Sequence, residues 1–88
     1  MRIIWSPRAI ERIAEIAEYI AGDNPSAAGK WIDAIFDRVK TLEKFPEIGR
    51  MVPEANRKKI RELLFKSYRI IYRHDEEQIS ILTVRHGS

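Results

Sequence analysis

The sequence has no cysteine among its 88 residues. A disulfide framework, a thiolate nucleophile and a cysteine metal site are thereby excluded together. It also lacks any apolar run approaching the roughly 20 residues needed to span a bilayer. Its opening, MRIIWSPRAIERI, has no long apolar region of the kind a signal peptide carries. A cytoplasmic protein with no membrane partner is the expectation. Repeats and low-complexity tracts are missing too, and at this length residues 1–88 are expected to form a single domain.

What is present is a globular composition, with 44% hydrophobic and 33% charged residues. The net charge of +3 is modest but unevenly placed. Residues 1–45 carry seven basic and seven acidic side chains, whereas residues 46–88 carry nine and six. Within the second half, RKKIRELLFKSYRIIYR sets seven cations against a single acid, Glu62. Such a block suits a polyanion, either nucleic acid or an acidic protein, and equally suits a solvated face that keeps a small domain soluble.

MRIIW is short and rich in branched and aromatic residues, and reads as a strand. Ser6-Pro7 supplies an N-cap with proline at the first helical position. Ile10, Ile13, Ala14, Ala17 and Ile20 then recur at helical spacing, opposite Arg8, Glu11, Arg12, Glu15 and Glu18. In GDNP, Gly22 stops this helix while Asn24 and Pro25 start another. The second helix carries Ala28, Trp31, Ile32, Ile35, Val39 and Leu42 and fades at Phe45-Pro46. PEIGRMVPEANRKK breaks both periodicities and reads as an irregular connection of the kind that often carries function.

Three strand candidates follow: KIRELLF, YRIIYRH and QISILTVRH, joined by KS and by DEE. The order β-α-α-β-β-β with short links predicts an α+β fold, an antiparallel sheet with the N-terminal helical hairpin packed on one face. Strict alternation puts Tyr68, Ile70 and Tyr72 on the core face and Arg69, Ile71 and Arg73 on the open one. In the last strand it groups Ile79, Ile81, Thr83 and Arg85 opposite Ser80, Leu82, Val84 and His86. Arg85 and His86 then face opposite sides, and only a twist or bulge at the strand end would unite them.

With IIWSPRA, PEIGR, IREL, YRIIYR and ILTVRHG in this order on this frame, the chain resembles the RelE/ParE superfamily over essentially its whole length. These are the toxins of type II toxin–antitoxin, or plasmid stabilisation, modules. The resemblance implies growth inhibition, neutralisation by a cognate antitoxin in a hetero-oligomer, and no cofactor. RelE-like members cut messenger RNA in the ribosomal A site without a metal, as mRNA interferases. ParE-like members bind DNA gyrase, trap its cleaved complex and perform no known chemistry. Many members continue past the final HG with a further Arg, whereas this chain stops at Ser88, a departure that bears on nuclease competence.

One nuclease branch uses a Glu in a Pro-Glu pair, an Arg in the YRIIY-like strand and a His at the end of the last strand. Carried over, the catalytic candidates are Glu54, Arg69 and His86, as base, phosphorane-stabilising cation and acid. The RNA- or partner-binding candidates are Arg50, Lys58, Lys59, Arg61, Lys66, Arg73 and Arg85. Each has a quieter reading. Glu54 can pair with Arg57 in solvent, Arg69 can bind an antitoxin carboxylate, and His86 can pack or cap. His74 with Asp75, Glu76 and Glu77 reads as a solvated turn rather than a metal site. Tyr68, Tyr72, Trp5 and Trp31 read as packing residues.

The resemblance further implies an antitoxin laying a helix and an extended segment over the helical pair and sheet edge. Its acids would meet Arg61, Arg69 or Arg73. The alternative is a non-toxic basic module that binds nucleic acid or a partner. Common RNA folds fit it poorly, for the sequence has no RGFGFV-like strand and no GxxG clamp.

Overall fold

The computed structural model describes residues 1–52 and 59–87. In chain order these form β1 (Arg2–Trp5), α1 (Pro7–Asp23), α2 (Pro25–Lys40), a 3-10 turn (Thr41–Glu43), β2 (Arg50–Met51), β3 (Ile60–Phe65), β4 (Tyr68–His74) and β5 (Gln78–His86). Among the described residues no helix is long and apolar enough to cross a membrane.

The helices start where the capping residues put them. Ser6 Oγ accepts from the Ala9 N–H at 3.0 Å, and Asn24 Oδ1 accepts from the Ala27 N–H at 3.2 Å. Asn24 closes α1 and opens α2, so one residue joins two antiparallel helices. The buried stripe of α1 is Ala9, Ile13, Ile16 and Ala17. This is a rotation from the sequence expectation, because Ile10 is 45% exposed and Ala14 lies outside the core. The contact with β5 selects the row through Ala9 and Ile16, about a residue away from the one periodicity favours. In α2, Ala28, Trp31, Ile35 and Val39 are buried as expected, and Trp31 packs on Phe65 and Tyr68.

The sheet order is β1-β5-β4-β3-β2. The β3-β4-β5 meander is antiparallel, while β1 joins the outside of β5 in parallel, so the sheet is mixed rather than antiparallel throughout. Two helices separate β1 from the meander and return the chain across the sheet, which makes parallel docking at that edge possible. The connection read as irregular contributes a short edge strand, with Arg50 opposite Glu62 and Met51 opposite Arg61.

A β-bulge changes the face assignments. Tyr72 is opposite Ile81, but Ile71 is opposite Thr83, leaving Leu82 as the extra residue. Its carbonyl accepts from Ser6 Oγ at 2.9 Å, and Arg12 Nε donates to the Val84 carbonyl at 3.0 Å. The strand therefore turns Ile79, Ile81 and Val84 to the helices, each fully buried. Strict alternation expected Thr83 in place of Val84; one inserted residue reverses every side chain beyond it.

Lys66 stands in the tight β3–β4 turn at φ 53°, a left-handed conformation that costs most residues about 1–2 kcal/mol. Lys66→Gly is expected to raise stability by about 0.5 kcal/mol once glycine's extra unfolded-state entropy is counted. A small rise in urea midpoint at constant slope would show it, and a fall would mean that the Lys66 ammonium, 5.5 Å from the Phe65 ring centroid, matters more.

A candidate binding site on the open sheet face

The face away from the helices is built from β3 residues Ile60, Glu62 and Leu64, β4 residues Arg69, Ile71 and Arg73, and Thr83 and Arg85 of β5, with Arg50 beside Glu62. At its centre Glu62 is buried, at 1% exposure. Its Oε1 accepts from both Arg50 Nε and Arg69 Nη2, the latter at 2.8 Å. Oε2 is buried with no hydrogen-bond partner among the described residues. The side chains differ sharply in exposure, at 0% for Glu62, 18% for Arg69 and 62% for Arg50. Burial by itself would push the Glu62 carboxyl up. The hydrogen bonds and charges of Arg50 and Arg69 outweigh it and hold the carboxyl below the ordinary carboxylate value.

The stem of Arg69 lies against Gly87. Gly87 donates its N–H to the Ser67 carbonyl at 2.7 Å, and a Cβ built on it would come within 2.9 Å of Arg69 Cγ. Arg69 is thus held at both ends, by Gly87 on the stem and Glu62 on the guanidinium. Arg85 lies directly opposite Arg69, is exposed, and makes no ion pair among the described residues.

The remaining cations divide. Lys59 and Arg73 both pair with Asp75, at 3.5 and 3.2 Å, so the acidic turn is tied to the basic face. Arg61 points to the helix side, where its Nη1 donates to the carbonyls of Gly49 at 2.8 Å and Glu47 at 3.3 Å. Tyr72 works beside it: its hydroxyl donates to the Pro46 carbonyl at 2.8 Å and accepts from the Gly49 N–H at 3.0 Å. Burial pushes this phenol's pKa up. PEIGR and YRIIYR are therefore two halves of one structural contact. Lys66 remains in its turn, apart from these groups. Glu54 and Lys58 lie outside the described residues.

His86 is on the other side of the sheet. It is opposite Tyr68 in the register, and the two rings meet edge to face with centroids 5.5 Å apart. It lines a groove with Arg12, Glu15, Ile16 and Tyr19. The bulge at Leu82 precedes both Arg85 and His86, so it moves them together and leaves them on opposite faces. The structure brings Arg50 and Arg69 together at Glu62, sets Arg85 opposite Arg69, and does not bring Arg69 to His86. Glu62 is the residue that sequence reasoning passed over. Its signal was present: a lone acid inside a basic block, sharing strand parity with Ile60 and Leu64.

A family model described as "ParE toxin of type II toxin-antitoxin system, parDE" matches residues 3–88. The chain belongs to the ParE toxin family. It is thus the toxin of a type II toxin–antitoxin system, within the RelE/ParE superfamily. A relative in Sinorhizobium fredii (strain NBRC 101917 / NGR234), named "Putative toxin Y4kP", is 38% identical over 88 residues, covering 98% of this chain and 88% of that protein. The fold of this ParE-family chain is shared with a chain of the chromosomal ParDE TA system from P. aeruginosa. There the TM-score is 0.83 at 22% identity, with 100% of this chain and 97% of that chain covered. A chain of the toxin–antitoxin complex RelBE2 from Mycobacterium tuberculosis matches with TM-score 0.63 at 19% identity, over 97% and 95% of the two chains.

Proposed function

We propose that this ParE-family chain is a gyrase-directed toxin with no chemistry of its own, held inactive by a cognate antitoxin in a hetero-oligomer. The observation that carries the reading is the separation of Arg69 from His86 by the thickness of the sheet. Metal-free RNA cleavage requires a cation at the phosphate and an acid at the leaving oxygen within reach of one another. Side chains on opposite sheet faces cannot share one phosphate. Arg69 is in addition committed to Glu62, and His86 is packed on Tyr68. The family match to ParE toxins supports the same reading, and the two toxin–antitoxin systems among the structural relatives support an antitoxin partner. Among the described residues, the sheet edges that an extended antitoxin segment could meet are β1 and β2.

The test is to induce the chain in growing cells and map messenger RNA 5′ ends alongside gyrase-linked DNA breaks. Gyrase-linked breaks with intact messenger RNA are expected, and His86→Ala should remain as toxic as the parent. Codon-phased RNA cuts that disappear in His86→Ala would overturn the reading and establish the ribosome-dependent nuclease.

A further inference from the structure

We propose that β1 is a pairing edge for a second copy of this chain, joined antiparallel about a two-fold axis at Ile4. The two edges of the sheet are protected to different degrees. β2 is two residues long and carries Arg50, and short, charged edges resist further pairing. β1 presents Ile3, Ile4 and Trp5 in succession, with Arg2 as its one charge. Among the described residues no strand pairs with its outer side.

The register with β5 fixes which backbone groups are free. The N–H groups of Arg2 and Ser6 donate inward, to the Glu77 and Ile81 carbonyls at 3.4 and 3.0 Å. In a parallel ladder alternate residues turn to the same neighbour, so Ile4 points inward with them. The N–H and C=O of Ile3 and Trp5 therefore face outward. Two copies pair all of these groups when Ile3 of one stands opposite Trp5 of the other. That alignment sets Ile4 against its own counterpart on the axis, as a close, non-hydrogen-bonded pair. Arg2 comes opposite Ser6, so no cation meets a cation.

The side chains suit the same arrangement. Ile3 and Trp5 face the helices, and Trp5 stacks on Phe36 with ring centroids 4.7 Å apart. Phe36 is 38% exposed, so apolar surface continues from the strand onto α2. Charge decides the occupant. Arg50, Arg61, Arg69 and Arg73 lie on β2, β3 and β4, which draws an acidic segment to that side of the sheet; β1 offers it Arg2 alone. An uncharged aliphatic and aromatic edge fits its own copy. The axis runs perpendicular to the sheet, so the pair forms one continuous sheet. The helices of both copies lie on one side and both basic faces on the other.

Four residues a side fall short of a standard interface, and a Kd on the order of 100 μM is expected. Sedimentation velocity of the full chain, from tenfold below to tenfold above that value, should show monomer giving way to dimer. Amide exchange of Ile3 and Trp5 should slow with concentration more than that of Ser6, whose N–H is already bound to Ile81. Ile4 is half-buried and open to substitution. Ile4→Lys and Ile4→Glu each set like charges across the axis and should weaken the dimer about tenfold. An equal mixture of the two variants should recover it, because Lys then faces Glu. A parent that stays monomeric, single variants that associate like the parent, or a mixture no tighter than either variant alone would each overturn the proposal. If the Ile4 variants fail to fold, exchange at Ile3 and Trp5 in the parent decides. Protection of these amides by a short end-blocked peptide alternating Glu and Leu, in a chain that stays monomeric, would assign the edge to an acidic segment and overturn it too.

Discussion

Arg69→Met is expected to cost about 3 kcal/mol of stability near neutral pH, the low end of what breaking a buried ion pair costs because Arg50 remains. The methionine keeps an apolar stem beneath Gly87, so the loss is chiefly electrostatic. Glu62 would stay buried with one partner, and that partner's side chain is 62% exposed and screened by water. In the parent protein the Glu62 carboxyl is held below its ordinary value of 4.5. Its ionisation therefore contributes stability that is present above that value and is lost as the pH falls through the folded-state pKa. In Arg69→Met burial is expected to prevail, raising the carboxyl above its ordinary value and reversing the sign. The charged form then penalises the fold near neutrality, and protonation relieves the penalty on acidification. The gap between variant and parent should thus narrow from neutral pH to about pH 4 in urea unfolding. A gap that stays constant would mean that Arg69 acts by packing alone.

Gly49→Ala is expected to cost about 2–3 kcal/mol, the upper part of the roughly 1–3 kcal/mol typical when an extra methyl is forced into a packed interior. Gly49 is buried, and its φ is not positive, so conformational freedom is not why glycine stands there. The reason is space. A Cβ would lie 2.6 Å from the Tyr72 hydroxyl and 2.7 Å from both Tyr72 Cε1 and the Glu62 carbonyl. One of these atoms belongs to the backbone of β3 and another to a ring with no exposed surface. Relief would have to come from moving the 46–49 segment, which gives up the Tyr72 bridge between Pro46 and Gly49 and the Arg61 contact to Gly49. Tyr72→Phe is a useful companion, because it loses the bridge while keeping the ring and should cost about 1–3 kcal/mol. Thermal unfolding of both variants checks the order. If Gly49→Ala unfolds at the parental temperature, the segment is not packed as described.

The basic face gains much of its character from Glu62, and the sequence shows why that was hard to see. Composition marks the acid as outnumbered, which reads as a residue of little consequence in a cationic block. The register makes it the hub, since β2 brings Arg50 to one side of it and β4 brings Arg69 to the other. β2 itself is two residues long in a stretch with no strand periodicity. Parity reasoning did better for β4, where Ile70 and Tyr72 are buried as expected and Arg69 and Arg73 lie on the open face. For β5 it held only up to the bulge.

The two helices and the strands other than β2 were determined by the sequence alone, because capping, turn chemistry and periodicity are local: Ser6-Pro7, Asn24-Pro25, the KS and DEE turns, and the apolar spacing of α2. So were the meander and the family resemblance. The tertiary structure alone decided the parallel docking of β1, the bulge at Leu82, and the consequent burial of Val84. It also decided that Arg69 faces Glu62 while His86 faces Tyr68. Each of these depends on which residue of one strand stands opposite which residue of another, and a single inserted residue changes the answer. That alignment is set by packing of the whole sheet against α1 and α2, to which no short stretch of chain has access.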